Sequence, residues 1–185
     1  MAYDRQLVVE KLRRWEDYTA RYQLPTWESL PNFGLYMDQV VVLLQQYLDF
    51  IPAPTEGKDS FVTAAAINNY VRLKLMPPPV KKKYGRIHVA YLIMILTLKL
   101  SLSISEIRQL LPAGLAEEEA RALYGDFCAR FDRTRRHFGE KLRDAAQELE
   151  DGADADAGQL VMEYSLSAAC YALLAGKLIR LEEPS

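Results

Sequence analysis

The chain has 185 residues and a mass of 21.1 kDa, enough for a hydrophobic core that needs no disulfide or metal staple. Half of the residues are hydrophobic and 26% are charged, which excludes intrinsic disorder and a fibrous repeat. A formal net charge of -2 and a pI of about 5.8 argue, for the chain as a whole, against a nucleic-acid binder, because such domains are commonly basic.

The opening Met1-Ala-Tyr-Asp-Arg-Gln6 has no basic stretch leading into an apolar run, so no secretory signal is expected. The uncharged stretches Val89–Leu98 and Tyr164–Gly176 are shorter than the roughly 20 residues of a spanning helix, so a cytoplasmic protein without membrane contact is expected. Cys128 and Cys170 are far apart, with no Cys-x-x-Cys and no His at metal spacing, which predicts two buried free thiols.

The helical pattern starts at Asp4 and runs to about Tyr22, with Leu7, Val8, Leu12, Trp15 and Tyr18 at three- and four-residue steps, and Pro25 stops it. Leu24–Pro31 holds two prolines and reads as an extended connection anchored by Trp27. Asp38 is placed to cap a helix running to about Asp49, and Ile51–Lys58 is a loop of breaker residues. Thr63 is the expected N-cap of a short helix ending near Leu73, with Val62 stapled onto Ile67. Met76-Pro-Pro-Pro79 forbids its continuation. A helix apolar nearly all round follows from Gly85 or Arg86 to Leu98 and reads as the central core element. Ser103-Ile-Ser-Glu106 is a capping box opening another short helix that ends near Leu111.

From Ala116 to Leu149 apolar residues recur at steps averaging about 3.67, which predicts a nearly straight or slightly right-handed packing. Glu117-Glu-Glu119 is favourable charge on the first turn of that helix. Asp151–Gly158 reads as a solvated turn, with Asp151, Asp154 and Asp156 lacking the spacing of a calcium loop. The return helix, Leu160–Ile179, is apolar on too many faces for the surface of a monomer, which predicts a bundle interior or a dimer interface.

No pattern points to catalysis. His88 and His137 stand far apart, neither lies in a nucleophile arrangement, and there is no phosphate-binding glycine loop or His-Glu-x-x-His motif. No catalytic residue, metal ligand or cofactor is assigned.

The charge, however, is unevenly divided. Between Ser60 and Ser105 stand seven basic residues, Arg72, Lys74, Lys81, Lys82, Lys83, Arg86 and Lys99, and no Asp or Glu. The remainder holds sixteen basic and twenty-five acidic residues, so a +7 segment sits in a -9 protein. Small and polar residues on the Thr63–Leu73 helix allow close approach to a major groove, where Asn68 or Asn69 could bond a base edge, adenine being preferred. The lysine triplet would then meet phosphates or the adjacent minor groove.

Three sets of residues carry a resemblance. Asn69-Tyr-Val-Arg-Leu-Lys-Leu-Met-Pro-Pro78, Lys82-Lys-Tyr84, and the Val89, Leu92, Ile95, Leu98 series leading into Leu102-Ser-Ile-Ser-Glu-Ile107 resemble the DNA-binding head of MerR-type regulators. The resemblance implies a recognition helix, a short wing, Tyr70 as the head's second conserved aromatic, Lys82 on the DNA backbone and Tyr84 as the wing tyrosine. Lys74 stands where those regulators carry a turn glycine, and Asn68 where they carry a DNA-contacting arginine. More narrowly, Leu24-Pro-x-Trp27, Leu35-Tyr-Met-Asp-Gln-Val40, Ile67-Asn-Asn-Tyr-Val71 and Lys82-Lys-Tyr84 together resemble a bacterial family known as domain of unknown function 1836, over about residues 24–111.

These readings predict an all-α protein in three parts: an N-terminal helix (1–23), a MerR-like helix-turn-helix domain with a truncated wing (24–112), and a C-terminal antiparallel helical hairpin (113–185). The leading function is a dimeric, non-enzymatic transcriptional regulator binding double-stranded DNA through Thr63, Asn68, Asn69, Arg72, Lys74, Lys81, Lys82, Lys83, Tyr84 and Arg86. One alternative is a protein-interaction module whose basic face meets an acidic partner, Glu117–Glu119 of the same chain included. Another is a small-molecule sensor with a pocket among Tyr124, Phe127, Phe131, Tyr164 and Tyr171.

Overall fold

The structure, a computed structural model, describes residues 4–51, 61–151 and 157–181. The predicted Ile51–Lys58 loop beyond Ile51, and Asp154 and Asp156 of the predicted turn, lie outside the described residues. Every regular element among the described residues is helical: α1 (Arg5–Arg21), α2 (Met37–Tyr47), α3 (Ala64–Arg72), α4 (Arg86–Leu98), α5 (Ile104–Leu110), α6 (Glu117–Glu150) and α7 (Ala157–Arg180), with one 3-10 turn at Trp27–Ser29. The protein is therefore all-α, as its periodicities predict. None of these helices is long and apolar enough to cross a membrane.

The helices begin where side chains can satisfy their free N–H groups. Asp4 accepts the amide of Leu7, and Thr63 Oγ1 that of Ala66 at 3.1 Å. Four other helices use the reverse device, in which the third helical residue reaches back to the N-cap amide. Gln39 Oε1 accepts from Tyr36 (2.9 Å), His88 Nδ1 from Gly85 (3.0 Å), Glu106 Oε2 from Ser103 (2.8 Å) and Glu119 Oε2 from Ala116 (2.9 Å). Asp38 is consequently not the cap of α2. It lies in the first turn, because the helix already starts at Met37 with Tyr36 at the N-cap, whose amide Gln39 accepts.

Two compact units emerge. The first spans Leu24–Cys128. Its centre is α4, whose residues His88 to Leu96 are all buried, as an all-round apolar helix requires. Around it lie Val40 and Leu44 of α2, Ile67 and Tyr70 of α3, and Ile107 of α5, with α2 packing on both α3 and α4. The first turns of α6 close this core through Ala120 and Tyr124, the latter fully buried, with its hydroxyl donating to the carbonyl of Pro25 (2.8 Å). Trp27 is buried beside Tyr124 and anchors the Leu24–Pro31 connection as expected.

The second unit combines the N-terminal helix with residues from Ala129 onward. Ala145 and Leu149 of α6 and Leu160 of α7 form its buried cluster, covered by Val8, Val9 and Leu12 of α1. Leu160 packs near Leu149, and Tyr164 lies against the carbonyl of Lys141 (3.4 Å), so α6 and α7 run antiparallel. Charges lock α1 to α6: Glu16 sits between Arg13 (3.1 Å) and Arg143 (2.7 Å), and Arg13 also holds Glu150 (2.7 Å). The hydrogen bond from Arg143, then that from Arg13, hold the Glu16 carboxyl below its ordinary range. Of the two thiols predicted to be buried, Cys128 is half-buried, whereas Cys170 is exposed, on a helix whose other large apolar residues are also mostly exposed.

Candidate nucleic-acid interface

The acid-free segment folds into α3, a helix-ending turn, a hairpin turn and α4, and backbone geometry decides which of its cations face outward. Helix α3 ends in a complete left-handed cap. The amide of Leu75 bonds back to the carbonyl of Tyr70 (3.1 Å) and that of Lys74 to Val71 (3.0 Å), with Leu75 and Tyr70 both buried. Lys74 occupies the left-handed position of this motif, at φ 55°. That position favours glycine, since a Cβ there crowds the backbone.

Six residues further on the chain reverses again. Val80 and Lys83 exchange both backbone hydrogen bonds (3.1 and 2.9 Å), and the two residues between them, Lys81 and Lys82, have φ of 51° and 61°. Positive φ at both central residues is the type I′ hairpin turn, whose preferred sequence is Asn-Gly. Tyr84 then pairs with Leu35, again through two 2.9 Å backbone bonds, so the turn rests on the segment that precedes α2. Lys74, Lys81 and Lys82 are the three non-glycine residues with positive φ among the described residues.

The turn is held at its base. His88 Nδ1 accepts the Gly85 amide, and its Nε2 lies 3.2 Å from the carbonyl of Pro78. Both contacts are satisfied together only by a neutral ring protonated at Nε2. Burial, the largest influence, lowers the affinity of His88 for a second proton. The imidazole thus joins the residue that leads into the turn to the residue that leads out of it.

The ten residues singled out from the sequence divide into three groups. Asn68, Arg72, Lys74, Lys81, Lys82 and Lys83 are exposed, and none of these cations has a carboxylate partner among the described residues. Lys83 lays its stem over Gly34 and its ammonium 5.4 Å from the centre of the Tyr36 ring. Asn69 is half-buried, and its Oδ1 accepts from Arg72 Nη2 (2.6 Å), which orients that guanidinium. Thr63, Arg86 and Tyr84 are occupied with structure. Thr63 caps α3. The Arg86 Nε donates to Leu30 (3.1 Å), with the guanidinium over Trp27. Tyr84 is 3% exposed and stacks edgewise on His88, so its ring belongs to the core rather than to a solvent-facing surface.

Sequence reasoning missed Gly34, Tyr36 and His88. Gly34 is required because a Cβ there would lie 2.8 Å from that of Lys83. His88 carried a readable signal, an acceptor side chain three residues after the Gly85 N-cap, the spacing of a capping box.

The other two readings find less here. Lys81–Lys83 are exposed and make no ion pair with Glu117–Glu119, of which Glu118 lies 4.0 Å from Arg121 and Glu119 caps α6. Of the five aromatics proposed as a pocket, Tyr124 is core, Phe131 packs on Tyr22, and Tyr171 is 70% exposed. Among the described residues no group of three or more His, Cys, Asp or Glu could hold a metal ion.

No curated protein and no solved structure matches the chain. A family profile, described as domain of unknown function (DUF1836), matches residues 25–127, which is nearly the whole of the unit that carries the lysine turn. The chain belongs to the DUF1836 family.

Proposed function

We propose that the Leu24–Cys128 unit is the DNA-binding module of a MerR-like transcriptional regulator that acts as a homodimer through its C-terminal helices. Helix α3 enters the major groove, and the lysine turn, a wing reduced to two residues, meets the phosphate backbone. The observation that carries this reading is the use of lysine at all three positive-φ non-glycine positions among the described residues. Each costs roughly 1 kcal/mol relative to glycine. A turn selected for stability alone would carry asparagine and glycine at 81 and 82 and glycine at 74. Strained backbone occupied by unpaired charge is a pattern of functional sites.

Double-stranded DNA suits this surface better than an acidic protein does. Ala64, Ala65 and Asn68 are exposed on α3, where small side chains permit close approach and an amide can bond adenine in the major groove. Arg72, oriented by Asn69, offers a fork for guanine or phosphate.

The test is a fluorescence-anisotropy titration of a labelled duplex at a series of salt concentrations. If about five phosphates are neutralised per protomer, log affinity falls against log salt with a slope of roughly -9 for the dimer. Lys82→Glu weakens binding to every duplex. Absence of binding at low salt, or indifference to Lys82→Glu, ends this reading.

A further inference from the structure

Beside α2, on the unit that carries the lysine turn, lies an open hollow of about 430 Å³, a volume within the range of ligand clefts. Phe33, Leu35, Val42 and Leu43 give it an apolar lining. Phe33 is 63% exposed and Val42 54%, so a ring and an aliphatic side chain face water side by side with a concave surface. An exposed aromatic ring in such a place is a surface on which a flat heterocycle stacks.

Two polar side chains of the lining give the hollow a hydrogen-bonding pattern. Gln39 Oε1 is taken by the Tyr36 amide (2.9 Å), which leaves its NH2 group as a donor. Asp38, its neighbour in sequence, is exposed and is not the cap of α2; its carboxylate offers two acceptor oxygens. A donor next to a double acceptor matches one nucleobase edge. Guanine presents a carbonyl oxygen followed by two N–H donors, whereas adenine presents an amino donor followed by a bare ring nitrogen, which a carboxylate repels. A cation stands at the same rim. Lys83 lays its stem over Gly34, between the lining residues Phe33 and Leu35, and its exposed ammonium has no carboxylate partner among the described residues.

We infer that this hollow binds a guanine nucleotide: Phe33 stacks on the base, Asp38 accepts its two N–H groups, Gln39 donates to its carbonyl, and Lys83 meets its phosphate. A free nucleotide and an unpaired guanosine within a nucleic-acid strand share this chemistry. Of the lysine turn the site draws on Lys83 alone and leaves Lys81 and Lys82 to duplex DNA. It therefore goes beyond the DNA reading, and either stands without the other.

The test is isothermal titration calorimetry of the full chain with guanosine, GMP, AMP and xanthosine monophosphate, and with single-stranded oligothymidylate with and without one internal deoxyguanosine. GMP binds at least tenfold more tightly than AMP. Asp38→Asn weakens GMP about tenfold or more. The same variant strengthens xanthosine monophosphate, which has a carbonyl where guanine has its amino group and so accepts from the new amide. Phe33→Ala weakens GMP about fivefold or more, and Lys83→Gln brings GMP down to the affinity of guanosine. Circular dichroism checks that each variant keeps its helicity. GMP bound more tightly than the guanosine-bearing strand assigns the site to free nucleotide, and the reverse order assigns it to a strand; both outcomes support it. Equal affinity for GMP and AMP, indifference of GMP to Asp38→Asn, or no binding of any of these ligands overturns the guanine site, whatever the chain does with duplex DNA.

Discussion

The imidazole of His88 accepts the amide proton of Gly85 across 3.0 Å and is thereby held neutral at the base of the lysine turn. Protonation would place an N–H against that N–H, in a site that burial already makes unfavourable for charge. The folded-state affinity for a proton is below that of the unfolded chain. The stabilising contribution is therefore fully present above the unfolded value of 6.5 and is lost as pH falls from there toward the lower folded value. Urea midpoints measured from pH 8 to 5.5, above the carboxylate range, should decline with acidification. His88→Leu should flatten that profile and cost about 2 kcal/mol at pH 8, since it strands the Gly85 amide and the Pro78 carbonyl. An unchanged pH profile in the variant would show that another group titrates.

The left-handed lysines separate stability from binding. Lys74→Gly, and separately Lys81→Asn/Lys82→Gly, should each raise stability by about 1 kcal/mol, because the replacements adopt positive φ without strain. Both should weaken DNA binding. Thermal unfolding and anisotropy on the same preparations read the two effects. Loss of stability in both variants would contradict backbone strain at these lysines.

The contact between Gly34 and Lys83 allows a double-mutant cycle. Gly34→Ala adds a Cβ that meets the Lys83 Cβ at 2.8 Å, and should destabilise by about 1–3 kcal/mol. Lys83→Gly removes the opposing atom, so the pair Gly34→Ala/Lys83→Gly should recover most of that loss relative to Lys83→Gly alone. Additive costs would place the strain elsewhere.

Caps give a comparison within one unit. Ser103→Ala removes the hydroxyl that accepts the Glu106 amide at 3.3 Å and should cost about 1 kcal/mol. Asp38→Ala, which touches the helix dipole of α2 but no cap bond, should cost about 0.3 kcal/mol. Chemical denaturation of the two variants side by side gives the ranking, and equal losses would mean that Asp38 does more than its position suggests.

Much of the fold was legible because it depends on local rules. Thr63 with Ala66, Ser103 with Glu106, and the proline run after Met76 act within a few residues, so the starts and stops of α3 and α5 follow from spacing. The caps of α2 and α4 escaped because glutamine and histidine are seldom read as capping partners, although His88 obeys the same spacing as Glu106. Tyr84 illustrates the opposite limit. Its place beside three lysines suggests the surface, but pairing with Leu35, nearly fifty residues earlier, turns the ring inward.

Composition and order along the chain alone determined that the protein is helical, that α4 lies at the centre of a core, and that seven cations are gathered in one segment without a counter-charge. These are properties of periodicity and count, and no partner has to be known for them. Only the tertiary structure decided which of those cations are free: Arg86 is drawn onto Trp27 and Leu30, whereas Lys74, Lys81 and Lys82 are turned outward by left-handed backbone. The physical reason is that backbone φ and side-chain burial at these residues are set by the hydrogen bonds of distant segments, Leu35 with Tyr84 and Pro78 with His88, which no local pattern records.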